Sequence, residues 1–191
     1  YMYEHDTSTP EKHHETYKPY LHVFDTEGKK PITKGAGGQF THHRGIFIGC
    51  SKTKANGKSY DRWHMKGGDI VHQKFLKQEV QDGTAVFTSV THWMDESAKP
   101  FMEEERTFMV SEGKHGGRLM IDFHTKLSPV DGDVFLKGDP EHAGVQYRPA
   151  NEVEKKKTKY LFPNGVTKVN GVKDLPWAAE NYTLGGKEYG V

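Results

Sequence analysis

The chain lacks most of the features that assign a protein quickly to a class. It has a single cysteine, Cys50, in 191 residues, so no internal disulfide forms and a cystine-stapled scaffold is excluded. No apolar run approaches the 18 or more residues of a membrane-spanning helix. The longest, such as IFIGC and RLMI, are only a few residues. Excess charge of either sign is missing too, with 27 Lys plus Arg against 26 Asp plus Glu. That balance removes any general drive toward nucleic acid or an anionic membrane surface. No segment holds a helical period over three turns, and no signal peptide is recognisable. The Gly-x-Ser-x-Gly elbow, the phosphate loop, the dinucleotide fingerprint and the Cys-x-x-Cys pair are all absent.

What is present is period-two alternation broken by glycine-centred turns, the signature of an antiparallel β protein. The clearest strand is TAVFTSVTHWM (84–94), with Phe87, Ser89, Thr91 and Trp93 on one face. Asp82-Gly83 marks a hairpin joining it to HQKFLKQEVQ. FMEEERTFMV, RLMIDFHTKL, DVFL, GVQYR, KYLF and WAAENYTL follow, separated by Gly-Asp-Pro, Pro-Asn-Gly and Asn-Gly elements. In FMEEERTFMV, Glu104 and Arg106 share a face with Met102 and Phe108, which predicts a structural ion pair. Cys50, inside IFIGC, reads as a buried structural thiol. A chain this long buries roughly 70% of its unfolded surface. The expectation is one all-β domain over 1–191, an antiparallel β-sandwich with little helix. Residues 1–17, polar and aperiodic, are expected as an extended N-terminal arm. The break after KEYGV suggests a chain that continues beyond Val191.

Twelve histidines are many for this length. His13 and His14 fall in the polar arm, where solvent exposure is the simplest reading, and His92, His124 and His22 fall within strands. Three stretches stand apart. In FTHHRGIFIGC, the adjacent His42 and His43 and the planar fork of Arg44 precede a buried strand, after a glycine-rich bend. In a regular strand the two imidazoles would point to opposite faces, unless a turn runs through them. YDRWHMKGGDIVHQKF sets Trp63, a flat apolar face, beside His64, with His72 eight residues on. DPEHAGVQYR places His142 ahead of a strand with Gln146 and Arg148 on one face, a plausible polar floor for a hydroxylated ligand. No His-Glu-x-x-His spacing occurs. A metal site would have to be assembled from distant strands.

Taken in order, YKPYLHVFDTEGKKPIT, FTHHRGIFIGC, YDRWHMKGGDIVHQKF and DPEHAGVQYR resemble a bacterial family of unknown function labelled PmoA-like, or methane oxygenase PmoA. The resemblance covers nearly the whole chain, and HHRG followed by HAG-x-Q-x-R is its specific part. Members of that family continue after a strand like KEYGV into a block containing His, Pro and Asn. The methane monooxygenase subunit behind the label is a helical membrane protein, unlike this β-patterned chain. Fold analogy points instead to the galactose-mutarotase-like supersandwich, whose members bind sugars in a concave sheet. Epimerases of that fold pair a histidine acid with a carboxylate base. The resemblance also implies an exported or periplasmic protein.

The reading that results is a carbohydrate-binding or carbohydrate-processing protein with a His/Arg-lined cleft. His42, His43, His64 and His142 are the candidate acid/base groups, since imidazole exchanges protons near neutrality. Arg44, Trp63, His72, Gln146 and Arg148 are the candidate ligand-binding groups, with Trp63 stacking on a sugar ring. No cofactor is required, although a divalent metal is allowed. The expected partner is a sugar-like small molecule, with no nucleic acid and no membrane span. The alternatives are a metal-dependent oxygenase or hydrolase using clustered histidines, and a non-catalytic ligand-binding sandwich.

Overall fold

The computed structural model describes residues 1–139, 141–167 and 174–191. The expected Asn170-Gly171 turn lies outside the described residues, as does Pro140 of the Asp139-Pro140 turn. Strand makes up 49% of the structure and helix 7%, in several antiparallel sheets with no closed barrel among the described residues. This is the all-β, sandwich-class fold that the alternation predicts. The backbone groups into two compact units, one of residues 1–21 and 46–146 and one of residues 22–45 and 147–191.

The first unit starts with a short helix, α1 (Pro10–Thr16), where the polar composition predicts an extended arm. Its signal is local. The Thr9 side chain caps the Lys12 amide at 3.2 Å, Pro10 opens the helix, and Glu11 sits in the first turn. No residue of α1 is buried, so the helix has no apolar stripe for periodicity to reveal. The rest of the arm is also tied down, by Met2 paired with Tyr20 and by Thr16 Oγ1, which accepts the Asp6 amide at 2.8 Å.

Strands then follow in order: β1 (Ile46–Cys50), β2 (Lys52–Ala55), β3 (Lys58–Tyr60), β4 (Ile70–Gln81), β5 (Thr84–Met94), β6 (Pro100–Glu112), β7 (Leu119–Pro129), β8 (Val134–Lys137) and β9 (Ala143–Tyr147). Strands β4-β5-β6-β7 form an antiparallel meander, β3-β2-β8 a smaller sheet, and β1 pairs with β9. Asp82 and Gly83 both take positive φ, 50° and 73°, as a two-residue hairpin between β4 and β5 requires. Asn56 and Gly57 do the same between β2 and β3, a hairpin whose three- and four-residue arms are too short for alternation to register.

The inner face of the meander is where the sequence pattern is most demanding. Trp93, Met102 and Phe101 are buried together with Ile70, Tyr60 and Ile48, Phe108 is fully buried as well, and Tyr60 stacks on Phe101 at 4.6 Å. Glu104 and Arg106, both fully enclosed, form the predicted ion pair through two contacts of 2.7 and 2.8 Å. Trp93 Nε1 and Thr125 Oγ1 donate to the same carboxylate at 2.9 and 3.0 Å, and Arg106 Nη1 donates to the Pro19 carbonyl at 3.1 Å. With these contacts the paired charges meet the condition under which burial is tolerated. Cys50 is buried, as expected, and desolvation pushes its thiol up.

The second unit carries β10 (Lys159–Leu161), β11 (Ala179–Leu184) and β12 (Lys187–Gly190) as an antiparallel sheet. Tyr182 on β11 is buried, and its hydroxyl meets that of Tyr147 at 2.6 Å.

Candidate functional site: two aspartate–histidine turns

Two short turns of the first unit share one pattern, Asp-x-x-His. In Asp61-Arg62-Trp63-His64, the Asp61 Oδ1 atom accepts the amides of Trp63 (3.1 Å) and His64 (2.8 Å). This is the aspartate-capped turn that a short carboxylate forms readily. The other oxygen, Oδ2, meets His64 Nδ1 at 2.8 Å. At the second turn the Asp139 carbonyl accepts the His142 amide at 3.1 Å. Asp139 Oδ1 accepts the Glu141 amide at 3.0 Å and meets His142 Nδ1 at 2.6 Å.

Arg62 holds the first loop from inside. Its guanidinium donates to the carbonyls of Gly68 (2.5 Å) and Gly67 (2.7 Å) and is fully buried. Burial lowers its pKa, while the carboxylates of Asp69 and Asp61 oppose that shift. With the Asp61 and Lys66 carbonyls at 3.3 and 3.4 Å, removing this side chain would release four carbonyl groups of the loop at once.

Both turns hang from the same end of β1. The Arg62 amide donates to the Cys50 carbonyl, and the Ser51 amide donates to the His142 carbonyl, each at 2.9 Å. Neighbouring backbone groups thus bring together turns that lie about eighty residues apart in the chain. The approach is close enough to require glycine. A Cβ on Gly49 would stand 2.4 Å from the Arg62 carbonyl oxygen, and one on Gly138 would stand 2.5 Å from that of His142.

The outcome is two facing imidazoles. The His64 and His142 ring centres lie 5.1 Å apart at 36°, and the edge of Trp63 meets His142 at 5.5 Å. Each imidazole has its own carboxylate on Nδ1, and both side chains are about 30% exposed. The hydrogen bond from His142 is the main reason the Asp139 carboxyl lies below its usual range, and Lys52 adds a smaller electrostatic contribution. Lys52 also lines an open depression of about 490 Å³ with Lys54, Phe135 and Lys137. The carboxylates had a readable signal in the repeated spacing, but nothing in the sequence shows that the two turns meet.

Trp63 differs from its expected role. It is fully buried against Phe47 at 5.1 Å, in a cluster with Tyr20. Lys18 donates to its carbonyl at 3.1 Å and lies 3.9 Å over the Phe47 ring. The indole supports the site from below and has no open face for a sugar ring. His72 faces other neighbours. Its Nδ1 meets Ser89 Oγ at 2.7 Å among Tyr3 and Phe75, and burial followed by the charge of Arg106 lowers its pKa. Gln146 is half-buried on β9, four residues beyond His142.

In the second unit, the turn does run through the histidine pair. The His43 amide bonds the Phe40 carbonyl at 2.9 Å, Phe40 takes a positive φ of 55°, and the His42 and His43 rings meet at 4.4 Å. Arg44 is fully buried, with Nη1 on the His43 carbonyl at 3.1 Å. Enclosure gives it the role of a corner post more than that of a ligand fork. The backbone of Arg148 bridges Lys34 and Gly45. Burial raises the pKa of Glu180, and the charge of Arg148 pulls the other way.

Among the described residues, one group of three His, Cys, Asp or Glu side chains has donor atoms spaced for a metal: His5, His13 and Asp69. It contains none of the four histidines singled out in the sequence. No described helix is long and apolar enough to cross a membrane.

Compared with known proteins, the chain matches no curated protein and no solved structure. The sequence model of a family of unknown function, DUF6807, matches residues 1–191.

Proposed function

The chain belongs to the family of unknown function DUF6807, and from its side chains we propose a carbohydrate-binding or carbohydrate-processing protein whose acid and base are His64 and His142. The observation that carries the reading is the facing pair of imidazoles, each with a carboxylate on Nδ1. A carboxylate on that nitrogen fixes the ring and its tautomer, so Nε2 becomes the nitrogen that exchanges protons with a ligand. One ring then takes the proton of a sugar hydroxyl while the other delivers a proton to a second oxygen of the same molecule. At a cyclic hemiacetal this transfer breaks the ring C–O bond and forms a carbonyl, and the reverse transfer closes the ring. No cofactor is consumed.

Asp61 and Asp139 are positioning residues, and Trp63 closes the floor. Gln146 supplies an amide for further hydroxyls. Lys52 favours a ligand that also carries an acid group, such as a sugar acid.

The test is proton NMR of the full chain with a panel of monosaccharides and sugar acids, following exchange between ring forms. Turnover should fall about 10²–10⁴-fold in His64→Ala and His142→Ala, the usual worth of a general acid or base. Binding without turnover would assign a non-catalytic binding domain. Neither binding nor turnover across the panel would end the carbohydrate reading.

A further inference from the structure

The arm and the loop that follows His64 meet at a second cluster, which the acid–base reading does not use. His5 Nε2 and His13 Nε2 both reach the same oxygen, Asp69 Oδ2, at 2.9 and 2.7 Å. We propose that His5, His13 and Asp69 bind one divalent transition-metal ion through these three atoms.

The donor set, the spacing and the scaffold each support the site. Two imidazoles and one carboxylate suit zinc, iron or manganese better than the all-oxygen shells of calcium or magnesium. Tetrahedral arms of about 2.0–2.1 Å place ligand atoms roughly 3.3–3.4 Å apart. All three donors here already lie within 4.8 Å of one another, and admitting an ion means opening the two contacts to Asp69 by roughly half an ångström. The ion would take the place of the hydrogens that now bridge nitrogen and oxygen, with each imidazole carrying its proton on Nδ1.

The ligands sit on anchored backbone. His13 lies in α1, behind the Thr9 cap. The stretch from His5 to α1 is closed by Asp6 and Thr16 and by an ion pair of Asp6 with Lys12 at 3.2 Å. Asp69 is held from both sides, its carbonyl by the Met94 amide (2.8 Å) and the next residue's amide by the Tyr17 carbonyl (3.0 Å). Access remains, since His13 is 41% exposed, His5 25% and Asp69 16%. Three protein ligands and an accessible side make an open site, with room for water or a substrate oxygen.

The experiment is calorimetric titration of the EDTA-treated full chain with zinc, repeated with cobalt(II), whose visible spectrum reports its coordination. One equivalent should bind, with a spectrum of four- or five-coordinate cobalt and a higher unfolding temperature. Affinity should drop at least tenfold in His5→Gln, His13→Ala and Asp69→Asn, checked for folding by circular dichroism, while His64→Ala binds as the parent does. His13→Ala guards against misfolding, because its side chain is the most exposed of the three. No stoichiometric binding of either metal, or binding that survives all three changes, would overturn the proposal. So would binding lost on changing His64. None of these results bears on sugar turnover, so the two readings fail separately.

Discussion

Two kinds of charge pair occur in the first unit, and they part company on burial. Glu104 and Arg106 lie at 0% and 1% exposure, with Trp93 and Thr125 donating to the same carboxylate. The Asp61–His64 and Asp139–His142 pairs span three residues, stay partly open, and meet their imidazoles through Nδ1. A pair that is enclosed and saturated has nothing left to offer a ligand and serves to hold the sheet. A pair fixed through Nδ1 and still partly exposed suits the proton exchange proposed for it. The two kinds of pair should therefore respond differently to mutation.

The largest expected effect is on stability. Glu104→Gln leaves Arg106 enclosed without its counter-charge and should cost about 3–5 kcal/mol in denaturant unfolding. A loss below about 1 kcal/mol would show that the pair is not the anchor described. Gly49→Ala and Gly138→Ala come next, at about 1–3 kcal/mol, as expected for overpacking a close contact. Their added value is a loss of turnover larger than their stability cost implies, because each displaces an Asp-x-x-His turn.

Acid provides the third comparison. Burial alone would raise the Glu104 carboxyl, but the charge and hydrogen bonds of Arg106 outweigh it, and the net shift is down from 4.5. The unfolded chain then binds this proton more readily than the folded one. The stabilisation is complete above about 4.5 and is lost as pH falls through the folded value. Unfolding free energy against pH should show this acid limb, and Glu104→Gln should flatten it. The smallest effect belongs to His64→Ala, about 1 kcal/mol or less in stability, since its side chain is partly exposed. If its stability loss matched that of Glu104→Gln, the distinction between the two kinds of pair would collapse.

How much of this was legible in the residues depends on distance along the chain. The β4–β5 hairpin could be placed from alternation and from Asp82-Gly83, because both signals are local. The Glu104–Arg106 pair followed from its two-residue spacing on a strand. Helix α1 escaped because it buries nothing and is marked only by Thr9, Pro10 and Glu11. Asp61 and Asp139 stand three residues before their histidines, so the carboxylates were readable as a spacing. The meeting of His64 with His142 was not, since it depends on how Gly49 lets Arg62 approach β1. Trp63 was read as a surface for a sugar ring from its neighbour His64, whereas packing against Phe47 and Tyr20 decided its place. His13 looked like a solvated arm residue because its partner, Asp69, comes from a strand-initiating position far along the sequence.

The account rests most directly on which nitrogen of each imidazole carries the proton. A long-range proton–nitrogen correlation spectrum of the nitrogen-15-labelled chain in mildly alkaline buffer, with His64→Ala and His142→Ala for assignment, reads this out. Protonated Nδ1 and unprotonated Nε2 on both rings is the predicted result. Protonated Nε2 on either ring would contradict the aspartate-held geometry, and with it the acid–base role of the pair.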